Sequence, residues 1–188
     1  YSTTLYLEER LGWKGIAIDA NPAYKTDYVK HRPQTKFFSF FVGDSADGEA
    51  DFYLLPSLPG VASGNREHVA SFAPDEASTS GIERLKVPKI TLNKLLDHEQ
   101  VRTIDLLCMD IEGHELAALA GFDLQRFRPR LVCIEVDHSS KEQIEDYFVR
   151  NNYSRVVSFT EMDQHNWYFA PLQAETGMFK PAMTGGGE

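Results

Sequence analysis

The polarity of this chain changes period repeatedly along its length. Short apolar runs stand between segments in which apolar residues recur one helical turn apart. Leu7 and Leu11 lie one turn apart, Ser2 or Thr3 can cap the helix they imply, and Gly12 ends it. Gly15–Asp19 reads as a short buried strand ending in a carboxylate. Asn21-Pro22 is an N-cap followed by proline at the first helical position, so a helix carrying Tyr24 and Tyr28 follows. Residues 37–42 form an aromatic-rich strand, Asp47-Gly48 signals a hairpin, and 50–55 is the expected returning strand. Residues 56–81 break every pattern, with Arg66, Glu67, His68 and Phe72 scattered among Pro, Gly, Ser and Ala. A loop of that length inside a compact domain is usually functional or disordered, and here a mobile lid is expected. Residues 84–90 are extended and 91–96 form a short helix.

The organising stretch is 104–116. Its apolar start, 104–109, reads as a strand buried on both faces, and Leu116 and Leu119 place a helix after it, stopped by Gly121. Residues 130–136 form another buried strand. Ser139 and Glu142 are spaced as a capping box, and Ile144, Tyr147 and Phe148 form the inner face of the helix it opens. Residues 156–159 and 167–170 read as a closing hairpin. The tail 173–188 has no periodicity and is expected to be disordered or extended. Alternating strands and helices predict an α/β fold, a mostly parallel sheet with right-handed crossovers and a terminal antiparallel hairpin, in one domain over 1–172.

Composition narrows the function. A length of 188 residues is enough for one domain with a sizeable core. A net charge of −9 argues against a nucleic-acid surface, which rests on Lys and Arg clusters. No apolar run approaches a membrane span and no signal-peptide pattern is visible, so a cytoplasmic place is expected. Cys108 and Cys133 lie in apolar runs and read as two reduced core thiols.

The chemistry gathers where strands end. Ligands of open α/β sheets bind beyond the carboxyl ends of the strands. There the chain places Asp19, then Asp44, then Asp110, Glu112, His114 and Glu115 around Gly113, then Glu135, Asp137 and His138. Glu115, in the first helical turn, reads as structural.

Four segments carry a family resemblance. Residues 104–115, IDLLCMDIEGHE, resemble the signature iDxLKiDiEGxE of the FkbM family of S-adenosylmethionine (SAM)-dependent methyltransferases. Residues 87–96, VPKITLNKLL, resemble vpvxTLDdLL; 18–22, IDANP, resemble fEPNP; and 42–53, VGDSADGEADFY, resemble xgdxdGexxfy. The match runs from about residue 1 to 171. Met109 stands where the signature has Lys, and Asn93 where it has Asp. The family's first strand and glycine-rich loop, DxGAxxGxxS, have no counterpart, so an N-terminally incomplete domain that binds SAM weakly is expected.

The resemblance implies a Rossmann-like methyltransferase fold, SAM as cofactor, and a hydroxyl of a small molecule or sugar as methyl acceptor. It places Asp19 at the ribose diol, Asp44 at the adenine amino group or in the nearby hairpin, and Asp110 and Glu112 at the cofactor. A hydroxyl nucleophile must lose its proton, so a histidine is the natural base; His114 is the first candidate and His138 the second. Asp110, Glu112 and Glu135 could also hold a divalent metal, although nothing singles out that role. Two other readings stay open: a non-catalytic interaction domain on the same fold, and a metal-dependent hydrolase.

Overall fold

The computed structural model describes residues 4–58, 60–137, 139–160, 163 and 165–172. The elements run α1 (Leu5–Leu11), β1 (Gly15–Asp19), a 3-10 turn (Pro22–Tyr24), α2 (Lys25–His31), β2 (Thr35–Ser39), β3 (Phe41–Val42), β4 (Glu49–Leu54) and β5 (Ala62–Ser63). There follow α3 (Arg66–Ser71), α4 (Glu76–Thr79), β6 (Glu83–Ile90), α5 (Leu92–His98), β7 (Leu106–Met109), α6 (Glu115–Ala120) and α7 (Leu124–Phe127). The last are β8 (Leu131–Glu135), α8 (Lys141–Arg150), β9 (Tyr153–Arg155), α9 (Val157–Thr160) and β10 (Asn166–Pro171). Ser2, Thr3, His138 and the tail 173–188 lie outside the described residues.

The α/β mixture is as expected, but the pairing differs from one mostly parallel sheet. Among the described residues the strands form three hydrogen-bonded groups, β1-β2, β3-β6-β4-β5 and β7-β8-β10-β9. Three pairs are parallel (β1 with β2, β3 with β6, β7 with β8), and four are antiparallel (β4 with β5 and β6, β10 with β8 and β9). The strand expected over 37–42 is broken at Phe40, because its first half pairs with β1 and its second half with β6. The expected hairpin between 37–42 and 50–55 does not close on itself, since β6 lies between β3 and β4. Its turn survives: Gly48 has φ +77° and its carbonyl accepts the Lys89 N–H at 3.0 Å. Residues 104–109, expected at the centre and buried on both faces, supply β7 at the end of its group. Cys108 is accordingly exposed, while Cys133 beside it is buried. One edge of β1 and one edge of β7 have no partner strand among the described residues.

At the carboxyl-terminal end, 156–159 is not a strand; α9 occupies it, and the short β9 just before it pairs with β10. The capping box is also displaced. Asp137 Oδ1 accepts the N–H groups of Ser139 and Ser140 at 2.7 and 2.8 Å, and Ser140 rather than Ser139 is the N-cap of α8. An aspartate two residues ahead is a stronger acceptor for those free amides than the serine hydroxyl. The core lies where α8 packs on β8 and β10: Phe148 stacks on Phe169 at 4.0 Å, and Ile144, Val132 and Ile134 are fully buried. Each such side chain contributes roughly 1.5–3 kcal/mol. This core anchors β8, and through it the exit of β7.

Candidate active site

The register of β7 and β8 brings their carboxyl ends together. Met109 lies opposite Ile134, so Asp110 and Glu135 leave the sheet side by side. Burial, then the charges of Asp110, Glu112 and Glu115 and a hydrogen bond with Asp110, push the Glu135 carboxyl up to about 8. The shift favours the protonated, neutral form of Glu135. Glu115 is buried, and its Oε1 accepts the Ile111 N–H at 2.9 Å, which closes the acidic turn on itself. Its burial, reinforced by Asp110, raises its pKa as well. Glu112 and Gly113 both have positive φ, 55° and 89°. A non-glycine residue in that region costs of order 1–3 kcal/mol and persists only when its surroundings hold it.

A pH dependence of stability follows from Glu135. Its raised pKa means that the folded state binds the proton more tightly than the unfolded chain. The resulting stabilisation is complete below the ordinary value of 4.5 and is lost as pH rises through about 8. Glu135→Gln keeps a neutral donor toward Asp110 and removes the titration. Thermal melts at about pH 6 and about pH 9 should show a smaller fall in Tm for this variant than for the wild type. Equal falls in both proteins count against the assignment.

What holds Glu112 is the segment expected to be a patternless loop. Residues 56–81 instead contain β5, α3 and α4, and Val69 is fully buried. Ala62 and Ser63 pair with Leu54 and Tyr53, and Asn65 caps α3 by accepting the N–H groups of Glu67 and His68. These elements are too short to generate a readable period. The buried Ser63 donates its hydroxyl to the Glu112 carbonyl at 3.0 Å. His68 Nε2 lies 3.0 Å from Glu112 Oε2, and its ring meets Phe72 edge-on at 5.2 Å. Gly64 presses on the site: a Cβ there would lie 2.7 Å from both His114 Cε1 and Phe41 Cζ. Sequence reasoning assigned no role to His68. The available signal was Asn65, a helix cap that places His68 in the first turns of α3 and at its start.

His114 precedes α6 as expected and is half-buried, edge-on to Phe41 at 4.9 Å. Burial lowers its pKa, and its Nδ1 is buried without a hydrogen-bond partner among the described residues. Asp19 closes β1; its Oδ1 accepts the Asn21 N–H at 2.7 Å, and the other oxygen has no hydrogen-bond partner among the described residues. Burial raises the Asp19 pKa. The Asp19 carbonyl accepts the Phe40 N–H at 3.2 Å, and the next residue is Phe41, so Asp19 reaches His114 through two consecutive phenylalanines. A cavity of about 310 Å³ beside the ends of β1 and β2 is lined by Pro22, Ser39, Leu85, Lys86, Val87 and Pro88. Asp44 stands apart, exposed after β3 with Lys89 Nζ at 4.0 Å. The structure thus gathers Asp110, Glu112, His114, Glu115 and Glu135 with Ser63 and His68. Among the described residues no three of His, Cys, Asp and Glu are arranged to hold a metal ion, and no helix is long and apolar enough to cross a membrane.

The domain is mixed α/β, and its parallel strands β7 and β8 deliver this acidic turn. The family model for the methyltransferase FkbM domain matches residues 1–166, and the chain belongs to that family. No curated protein and no solved structure matches the chain.

Proposed function

We propose that the protein is a SAM-dependent O-methyltransferase on a Rossmann-like sheet, acting on a hydroxyl of a small molecule or sugar. In a member of the methyltransferase family, one observation carries this reading: Asp19 and the acidic turn both stand at carboxyl ends of parallel strands, joined through Phe40 and Phe41. The residues suit the cofactor. The unpartnered oxygen of Asp19 matches a ribose diol, and the acids at 110–115 match a ligand bearing a sulfonium and an ammonium. Bound SAM supplies an activated methyl group with a neutral thioether as leaving group. Asp19 then holds the ribose, Asp110 and Glu112 face the cationic end, and Asp44 remains available to the adenine amino group.

Calorimetric titration should show SAM binding, and labelled methyl should pass from SAM to catechol or methyl glucoside. Asp19→Ala should weaken SAM binding about 10- to 100-fold, the worth of a charged hydrogen bond of ~1.5–3 kcal/mol, and leave turnover at saturating SAM nearly intact. A folded protein that does not bind SAM overturns the reading.

A further inference from the structure

We infer that His68, on α3 and aligned by Glu112, is the base that takes the proton of the acceptor hydroxyl. This rests on the methyltransferase reading above. Three observations point to His68. Its ring is held on two sides, by Glu112 at 3.0 Å and by Phe72 edge-on at 5.2 Å. With the Glu112 carboxylate oxygen as acceptor of the 3.0 Å contact, Nε2 is the donor and Nδ1 keeps its lone pair. That Nδ1 has no hydrogen-bond partner among the described residues, and about a third of the side chain, 34%, is exposed. A base oriented by a carboxylate on its far nitrogen, with the near nitrogen open, is the arrangement that proton abstraction needs.

His114 is placed less well for the same task. Its ring is closed in by Phe41 and Gly64, and its Nδ1 is buried. Its packing instead helps seat β5 and α3 on the acidic turn. Glu112 is a positioning residue here. Its carbonyl is held by Ser63 and its carboxylate steadies the imidazolium that forms. In the step itself, the hydroxyl proton passes to His68 Nδ1 and the oxygen's electron pair forms the new O–C bond. The bond from methyl carbon to sulfur breaks with its pair left on sulfur, and the imidazolium later returns its proton to water.

The experiment uses the purified protein, with SAM and with catechol and methyl glucoside as probe acceptors. His68→Ala should lower kcat by ~10²–10⁴-fold while SAM affinity, read by calorimetry, stays within about twofold. His68→Gln keeps a donor toward Glu112 without a base and should lose as much, which separates lost chemistry from lost packing. Nitrogen-15 NMR should find His68 in the Nε2–H tautomer, and Glu112→Gln should mix the tautomers and lower kcat by about tenfold. A His68→Ala enzyme that keeps pace with the wild type at saturating SAM, or an Nδ1–H tautomer in the wild type, overturns the base assignment alone. A wild type that neither binds SAM nor methylates a probe overturns the methyltransferase reading, and the base role falls with it.

Discussion

Glu8→Ala should cost about 3–5 kcal/mol of folding stability, because it leaves a buried arginine without its carboxylate. Glu8 and Arg32 are both buried, and Arg32 Nε donates to Glu8 Oε2 at 2.6 Å. Thr35 Oγ1 donates to the same oxygen at 2.5 Å, and the Gln34 N–H donates to Oε1 at 2.9 Å. One side chain on α1 thus ties down the turn between α2 and β2, and with it the β1-β2 pair that presents Asp19. Burial alone raises a carboxyl pKa, but the hydrogen bonds from Thr35, Arg32 and Gln34 outweigh it and hold Glu8 below its ordinary value. The sign follows. A depressed carboxylate contributes stability that is present above 4.5 and lost as pH falls through its lowered folded value. Urea unfolding at neutral pH should show the large loss for Glu8→Ala, and the difference from wild type should narrow in acid. A loss below about 1 kcal/mol at neutral pH would mark the pair as one that solvent replaces.

Gly121→Ala should destabilise the protein at the upper end of the ~1–3 kcal/mol typical of overpacking. The reason is not the helix stop that its position suggests, since its φ of −90° suits any residue. A Cβ at Gly121 would lie 2.2 Å from the Gly43 carbonyl oxygen and 3.1 Å from Thr91 Cβ. Neither backbone yields easily. The Gly43 N–H is bonded to the Ile90 carbonyl at 3.0 Å, and the Gly121 carbonyl accepts the Asn93 N–H at 3.2 Å. Relief therefore shifts β3, whose Phe41 touches His114, and turnover should fall along with Tm. Gly43→Ala is the control, because a Cβ there meets nothing within 4 Å, and it should stay within about 0.5 kcal/mol of wild type. Equal Tm values for the two variants would mean that the α6 end can move aside.

Much of the fold was legible because it is encoded locally. The strand-to-helix turn at 104–120, the α1 stop at Gly12 and the Asn21 cap before Pro22 are short-range signals, and each has its expected counterpart. So is Thr91, whose hydroxyl accepts the Lys94 N–H at 3.2 Å and opens α5. The acidic turn was readable for the same reason: its residues are neighbours in sequence, and Glu115 closes it across four positions. Tertiary structure alone decided which strand meets which. Nothing local makes 37–42 break at Phe40 or sets β6 between β3 and β4, because those pairings depend on segments far apart in the chain. The edge position of β7 and the exposure of Cys108 follow from the same long-range pairing. The seating of β5 and α3 on the acidic turn is also long-range, joining Ser63 and His68 to Glu112 across 49 and 44 positions. A hydrogen bond over that separation leaves no periodicity in sequence, so the chain alone determined the acidic turn and the three-dimensional packing decided which histidine faces it.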